Sequence, residues 1–338
     1  MGFEVRAAGS TTAPSKSREH RHHLDLNPRL AFATNHDRLS DVGVPCRAIE
    51  ATDEQGDTLG GSPAVGVPAV PVADSAFTGS IPALYERYLG PLLFEPYARD
   101  LISRFADMQS GRLLETAAGT GIVTRALAST LPADVEIVAT DLNQSMVDFA
   151  TAQQRASNVT WQQADALRLS CADQTFDAVV CQFGLMFLPD KQTGYREAHR
   201  VLKSGGRFVF SVWERIEENE FAHTVSAAVA ALFPNDPPTF LARIPYGFHD
   251  TDTISTDLRQ AGFSRVAIES VELRSRSASS WEPAIGFCQG TPLRSEIEAR
   301  SASLLEEATA TAERALASRF GSQEADGKVR AYVMDAVR

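Results

Sequence analysis

The hydrophobic pattern of the chain changes at about residue 77. From there, short apolar stretches alternate with stretches whose apolar residues recur at helical spacing, such as 122–131. Several short stretches, among them 176–182 and 207–213, are almost continuously apolar. Strands have this composition when helices cover both faces of a parallel sheet. The pattern therefore predicts an α/β protein with a doubly wound, Rossmann-like sheet.

The same pattern predicts two further strands and two helical insertions outside the regular alternation. The strands are expected at 265–275 and 328–338. The insertions are expected at about 214–250 and 281–320, where they would form a cap over the sheet. Earlier in the chain, Pro91 is placed to begin the second of two helices, because proline is tolerated in the first helical turn.

The first 75 residues differ in composition from the rest. They are rich in Arg, Ser, His, Gly and Pro and keep no helical or alternating apolar period. We predict a disordered or extended tail at 1–75 and one domain at 76–338. Four of the seven histidines fall in the tail, but neither they nor the four cysteines have the spacing of a metal site, so no metal is expected.

Charge and hydropathy narrow the function classes. The net charge of −11 gives no bulk attraction to nucleic acid. No apolar run approaches the roughly 18 to 20 residues that a membrane-spanning helix needs, and the N-terminus lacks an apolar secretory segment. We therefore expect a cytoplasmic protein that acts on a small molecule, without nucleic acid and without a membrane span. The oligomeric state stays open, a homodimer being one option.

A glycine-containing turn, "ETAAGTG" at 115–121, follows the first predicted strand and opens a helix. Gly119 and Gly121 lack side chains, so a ligand can approach the backbone and the free amides of the helix N-terminus. Asp141 ends the next strand, where a carboxylate can accept both hydroxyls of a ribose. These residues indicate an adenosine-containing ligand, which could be a dinucleotide, a nucleoside triphosphate or a cationic adenosine derivative.

Two residues separate these ligands. A dinucleotide fingerprint has a third glycine at the position of Thr124. Glu115, at the end of the strand, would repel a pyrophosphate and attract an ammonium group. No Lys-Ser or Lys-Thr follows the glycines, which excludes a phosphate-binding P-loop. S-adenosylmethionine is the favoured ligand, and a NAD(P)-dependent oxidoreductase is the alternative.

Four segments together resemble the motifs of the class I S-adenosylmethionine-dependent methyltransferases, in particular the ubiquinone/menaquinone-biosynthesis-like branch. They are "LLETAAGTG", "VATDLNQSMV", "QADALRLSCADQTFDAVVCQFGLMFLPD" and "EAHRVLKSGGRFVFSVW". The resemblance implies a seven-stranded, mostly parallel sheet with the last strand antiparallel, and a cofactor bound by the glycine turn, Asp141 and Asp165. Members of that branch methylate quinones and other small molecules. Ala117 departs from the motif, which has glycine there.

The expected site residues fall into three groups. Catalytic residues stay unknown, because Met186 and Phe187 stand where this branch often carries a histidine pair; His223 and His249 are the candidates for a base. The expected acceptor is small and apolar or aromatic, methylated at oxygen or carbon by in-line displacement; a non-catalytic regulatory scaffold is a further alternative. The cofactor is expected to be bound by Glu115, Ala117, Gly119, Thr120, Gly121, Asp141, Leu142, Met146, Asp165, Ala166 and Gln182, and the acceptor by Tyr85, Tyr88, Phe183, Phe240, Tyr246 and Phe248.

Overall fold

A computed structural model describes residues 77, 79–154 and 156–338, so the predicted tail at 1–75 lies outside the described residues. Seven strands form one sheet in the order β3-β2-β1-β4-β5-β7-β6. Their bounds are β1 Gly111–Glu115, β2 Val135–Asp141, β3 Val159–Gln163, β4 Phe176–Gln182, β5 Leu202–Trp213, β6 Arg265–Ser279 and β7 Gln323–Val337.

Six strands run in one direction and β7 runs opposite to them. The pairs within β3-β2-β1-β4-β5 are parallel, and β7 pairs antiparallel with both β5 and β6. The predicted seven-stranded sheet with an antiparallel last strand is thus confirmed. Strands β6 and β7 are both longer than predicted, because they pair with each other well beyond the end of β5.

The helices connect these strands and form the insertions. Those before β5 are α1 Ile81–Leu84, α2 Glu95–Ser103, α3 Ile122–Thr130, α4 Gln144–Gln153 and α5 Lys191–Val201. Those after it are α6 Glu220–Leu232, α7 Phe240–Arg243, α8 Thr251–Gln260, α9 Trp281–Gln289, α10 Leu293–Ser301 and α11 Leu305–Phe320, with short 3₁₀ turns at Leu185–Phe187, Ile216–Glu218 and Ala302–Leu304.

The N-terminal helical run differs from its prediction. Between α1 and α2, residues Tyr85–Phe94 form a π-helix, and Pro91 lies inside it rather than at the start of a helix. The chain is therefore helical without a break from Ile81 to Ser103. The amide of Glu95 bonds to the carbonyl of Gly90, five residues back. This wider turn tolerates a proline that would break α-helical hydrogen bonding.

The hydrophobic core lies on both faces of the central strands. The apolar side chains of β1, β4 and β5 are almost fully buried. Helices α2 and α3 pack against each other, α5 packs on β5, and α6 and α11 pack on β7. Because β1 and β4 are adjacent, parallel and buried, the turns that follow them meet at one edge of the sheet.

Candidate active site

The turn after β1 is held against the end of β2 by backbone hydrogen bonds. The amide of Ala118 donates to the carbonyl of Thr140 at 2.9 Å. Gly119 and Gly121 have φ values of 56° and 84°, which glycine adopts without strain. A side chain on Gly121 would come within 2.8 Å of the Trp161 ring. The glycines thus let the turn fold tightly, and Gly119 leaves open space beside it.

Asp141 is buried and organises this turn. Its Oδ2 accepts from the amide of Gly119 at 2.8 Å, and its Oδ1 accepts from the amide of Asn143 at 2.8 Å. Burial raises the pKa of the Asp141 carboxyl, while the hydrogen bonds from Asn143 and Gly119 oppose that shift. Oδ1 also accepts from Asn143 Nδ2 at 3.4 Å, whereas Oδ2 has only the bond from Gly119 and can still receive a hydroxyl donor.

A cleft of about 280 Å³ opens at the ends of β1, β2 and β4. We call it the strand-end cleft. It brings together eight of the eleven residues predicted to bind the cofactor. Its lining consists of Phe77, Tyr85, Ala117, Gly119, Asp141, Leu142, Asn143, Met146, Ala164, Asp165, Ala166, Leu167, Gln182, Phe183, Gly184, Phe187, Leu188 and Pro189.

Glu115, Thr120 and Gly121 do not line the cleft. Glu115 turns instead toward α3, where its Oε2 accepts a 2.6 Å hydrogen bond from Thr124 Oγ1. Burial raises the pKa of Glu115 to about 8, although the bond from Thr124 acts in the opposite direction. Burial thus favours the neutral form of this carboxyl, which weakens its expected repulsion of a pyrophosphate and its expected attraction of an ammonium group. The missing third glycine is explained as well, because Thr124 is the partner of Glu115.

Gln182 presents an unsatisfied acceptor in the wall of the cleft. Its Nε2 donates to the carbonyl of Phe94 at 3.1 Å. A carbonyl only accepts, so the amide nitrogen must face Phe94 and the amide oxygen must face away. That Oε1 is buried and has no hydrogen-bond partner. A ligand that brings N–H donors into the cleft would satisfy it.

Two residues beside the cleft have backbone conformations that are unusual for their type. Ala117 after β1 and Phe183 after β4 both have a φ of 53°. Such strain is concentrated at functional sites. A Cβ added to Gly184 would stand only 2.4 Å from the Cβ of Ala117. The glycine at 184 therefore makes room for the alanine that departs from the methyltransferase motif.

A second, smaller cavity of about 50 Å³ adjoins the cleft, and we call it the aromatic chamber. The two cavities share four lining residues, all of them aromatic: Phe77, Tyr85, Phe183 and Phe187. Phe183 stacks on Trp213 with ring centroids 3.6 Å apart. The remaining lining comes from the helical run before β1, from the end of β5 and from both insertions: Leu89, Leu93, Phe94, Trp213, Phe240, Leu241, Pro245, Tyr246, Phe287 and Thr291.

Four of the six predicted acceptor-binding residues, Tyr85, Phe183, Phe240 and Tyr246, line the aromatic chamber, and Tyr88 and Phe248 do not. Phe248 lies instead under the ammonium of Lys191, 4.7 Å from its ring centroid.

Neither histidine candidate, His223 or His249, lines the strand-end cleft or the aromatic chamber. His249 Nδ1 is 3.0 Å from the carbonyl of Tyr246. The structure therefore does not bring these side chains to the cleft. Sequence reasoning missed Trp213, although its place at the end of β5, on the same sheet edge as Asp141 and Gln182, was a usable signal.

Most of the residues that form the strand-end cleft lie in a part of the chain that is similar in sequence to known methyltransferases. Residues 114–210 match the methyltransferase domain family. The ubiquinone/menaquinone biosynthesis C-methyltransferase UbiE of Escherichia coli O1:K1 / APEC is 30% identical over 167 residues, which cover 46% of this chain and 66% of the relative. The UbiE of Pseudomonas aeruginosa strain LESB58 is 32% identical over 168 residues, with the same coverage. The chain thus spans 66% of the length of these curated relatives.

Residues 114–210 therefore form a methyltransferase domain, of the class I S-adenosylmethionine-dependent type. S-adenosylmethionine is accordingly its cofactor, and the oxidoreductase alternative is set aside. Solved structures similar to this chain include the YcgJ protein of Bacillus subtilis, with 17% identity, a TM-score of 0.48, and coverage of 72% of this chain and 98% of that one. Phosphoethanolamine N-methyltransferase 2 of Haemonchus contortus has 17% identity, a TM-score of 0.48, and coverage of 76% and 56%.

The residues of the strand-end cleft fit this cofactor. Asp141 and Asp165 offer carboxylate acceptors for hydroxyl and amine donors, and the exposed apolar side chain of Leu142 lies beside them. The unsatisfied Oε1 of Gln182 matches a ligand with an ammonium group. Among the described residues, no helix combines the length and apolarity needed to cross a membrane, and no cluster of His, Cys, Asp or Glu has the arrangement of a metal site.

Proposed function

We propose that the protein methylates a small aromatic acceptor, of the phenol or hydroquinone class, at carbon or oxygen. The observation that carries this proposal is the shared aromatic wall between the strand-end cleft and the aromatic chamber. An acceptor ring in the chamber would lie next to whatever occupies the cleft. The UbiE relatives are named as C-methyltransferases of quinone biosynthesis, which agrees with an aromatic acceptor.

When bound, S-adenosylmethionine supplies a methyl group on a positively charged sulfur. The chain's part is to hold the acceptor in line with that group and to exclude water. Phe183 and Trp213 offer a flat stacked surface against which a planar ring can pack. Tyr85, Phe94 and Phe77 line the chamber as well, with Tyr85 stacked on Phe94 at 4.5 Å and Phe77 edge-on to Tyr85 at 5.9 Å.

The polar groups of the chamber suit an acceptor that ionises by itself. Among the described residues, no histidine lines either cavity. Burial raises the pKa of Tyr246 and of Tyr85 above the ordinary value, so both phenols stay protonated and can donate but not abstract. A phenol or an activated ring carbon needs no strong base, whereas an aliphatic alcohol does. The chamber therefore favours a phenol or an activated aromatic ring over an aliphatic alcohol as the acceptor.

The size of the chamber adds a constraint. An apolar cavity of about 150 Å³ holds benzene, and the aromatic chamber is about 50 Å³. An acceptor ring must therefore displace a side chain at the shared wall. Phe77 and Phe187, in edge contact at 5.6 Å, are the partly exposed members of that wall besides Tyr85. We propose that they move apart when the acceptor enters.

The test is a mass-spectrometric screen with labelled S-adenosylmethionine and matched sets of phenols, hydroquinones and aliphatic alcohols. We expect a gain of one CH₂ on phenols or hydroquinones only. The Asp141→Ala variant is the control without cofactor binding, because it removes the acceptors at the end of β2; we expect its affinity for S-adenosylhomocysteine to fall about 100-fold. Asp148→Ala, an exposed carboxylate on α4, is the matched control that should bind normally.

Turnover on aliphatic alcohols alone would contradict the proposed acceptor class. Normal cofactor binding without turnover on any acceptor would favour the regulatory-scaffold alternative.

A further inference from the structure

An ion pair links the glycine turn to the helical wall of the aromatic chamber. Arg125, in the first turn of α3, donates from Nη1 to the carbonyl of Thr120 at 2.7 Å. Its Nη2 bonds to Glu86 Oε1 in the π-helix. Thr120 stands between the two glycines of the cofactor turn, and Glu86 follows Tyr85, which lines both cavities. One guanidinium thus holds two parts of the site.

We propose that Arg125 and Glu86 are positioning residues that hold the cofactor turn and the chamber wall in one arrangement, so that cofactor affinity depends on a side chain of the π-helix. The proposal concerns residues that touch neither ligand, since neither Arg125 nor Glu86 lines the cleft or the chamber. It rests on the proposed function only in so far as the aromatic chamber receives the acceptor.

The π-helix gives this ion pair its importance. π-helical turns are rare and often mark functional sites, where other contacts must hold them in place. Two of its carbonyls accept hydrogen bonds from outside the helix: that of Phe94 from Gln182 Nε2 and that of Leu92 from Ser275 Oγ at 3.0 Å. The Arg125–Glu86 pair adds an ion pair at its first turn, beside Tyr85.

Glu86 depends on this one partner. Its side chain is 19% exposed, and its second oxygen, Oε2, is buried without a hydrogen-bond partner. Removal of Arg125 leaves a partly buried carboxylate uncompensated, and such a group moves toward water rather than stay unpaired. Because Glu86 and Tyr85 are adjacent, that movement disturbs the wall between the two cavities.

The experiment is a double-mutant cycle on S-adenosylhomocysteine binding, measured by calorimetry without acceptor. We expect Arg125→Met to weaken binding about tenfold, as for the loss of one charge-assisted hydrogen bond. Glu86→Gln, which keeps the shape of the side chain, should weaken it about threefold. The double variant should bind no worse than Arg125→Met alone, because both changes break the same link. Arg125→Lys should recover part of the affinity, since it keeps the charge but not the fork of donors.

Arg99→Met is the matched control. Arg99 is exposed and lines the same surface groove as Arg125, between α2 and α3, and we expect binding within twofold of the wild type. With an acceptor from the screen, the KM for the acceptor should rise in Arg125→Met together with the Kd for S-adenosylhomocysteine.

The proposal is overturned if Glu86→Gln binds S-adenosylhomocysteine as the wild type does, or if the two effects add in the double variant. Should Arg125→Met fail to fold, the Glu86→Gln variant decides alone. Calorimetry measures cofactor binding without turnover. A failed acceptor screen would therefore contradict the proposed function but would not affect the outcome of the double-mutant cycle.

Discussion

The strand-end cleft and the aromatic chamber are adjacent but built on different principles. The cleft is made by backbone amides, small residues and carboxylates at the ends of parallel strands, and its key contacts span few residues, as from Gly119 to Asp141. The chamber is made by aromatic side chains from segments as far apart as Phe77 and Thr291. The cleft is therefore a property of the sheet, whereas the chamber depends on how the helical insertions pack over it.

The largest expected effect is a pH dependence of the free energy of unfolding that arises on the cleft side. The buried carboxyl of Glu115, at the end of β1, titrates there, whereas none of the described residues that line the chamber carries a carboxyl. The pKa of Glu115 in the folded chain is about 8, above its ordinary value of 4.5. The folded state binds this proton more tightly than the unfolded chain, so the contribution of Glu115 to stability is complete below pH 4.5 and is lost as the pH rises from about 4.5 to 8. We expect a slope of up to about 1.4 kcal/mol per pH unit in the free energy of unfolding.

Urea unfolding at pH 5, 6, 7 and 8 measures this slope. Glu115→Gln should remove it; Asp141, whose pKa is also raised, is present in both proteins, so the difference between their profiles reports Glu115 together with its interaction with Asp141. Parallel pH profiles for the wild type and Glu115→Gln would show that Glu115 does not titrate in this range.

A substitution in the chamber should affect the acceptor and spare the cofactor. Phe240 is buried and lines the chamber but not the cleft. We expect Phe240→Leu to raise the KM for an aromatic acceptor about tenfold, the size of one lost aromatic contact, and to change the Kd for S-adenosylhomocysteine less than twofold. Phe320→Leu is the matched control, because its ring packs on Phe221 away from both cavities. An equal change in both constants would mean that the two regions are not separable.

The smallest expected effect concerns Ala117 on the cleft side. Its left-handed conformation costs about 1 kcal/mol relative to glycine, but glycine also gains freedom in the unfolded chain. We expect Ala117→Gly to change the free energy of unfolding by less than about 1 kcal/mol and to leave cofactor affinity unchanged or slightly tighter.

Gly184→Ala should lower the thermal stability less in the Ala117→Gly background than in the wild type, because one of the two close contacts of the added methyl group is gone. Strictly additive changes in thermal unfolding would contradict this coupling.

The contrast between the regions also explains what could be predicted from the sequence. The order of strands and helices follows from local apolar patterns, and the residues that end β1, β2 and β4 must share one edge of a parallel sheet. For that reason Gly119, Asp141 and Gln182 could be placed together from the amino-acid sequence alone. Glu115 could not be placed, because its turn toward Thr124 depends on how α3 packs.

The chamber was harder to predict for a geometric reason. With α-helical spacing, Tyr85 and Tyr88 lie near the same face, and both were expected to bind the acceptor. In the π-helix the turn is wider, so Tyr85 shares its face with Leu89 and Phe94 instead. Nothing in the local pattern of these residues signals a π-helix, which is stabilised by distant groups such as Gln182 and Ser275.

The stack of Trp213 on Phe183 has an optical consequence. The chain contains three tryptophans, and they fall in three different surroundings. Trp213 lines the chamber, Trp161 lies behind Gly121 at the cofactor turn, and Trp281 is 39% exposed at the start of α9. Indole fluorescence responds to stacking and to polarity. In variants that keep a single tryptophan, the emission would therefore report on the surroundings of that residue alone. The molecule thus carries intrinsic probes that distinguish filling of the cleft from filling of the chamber, without any attached dye.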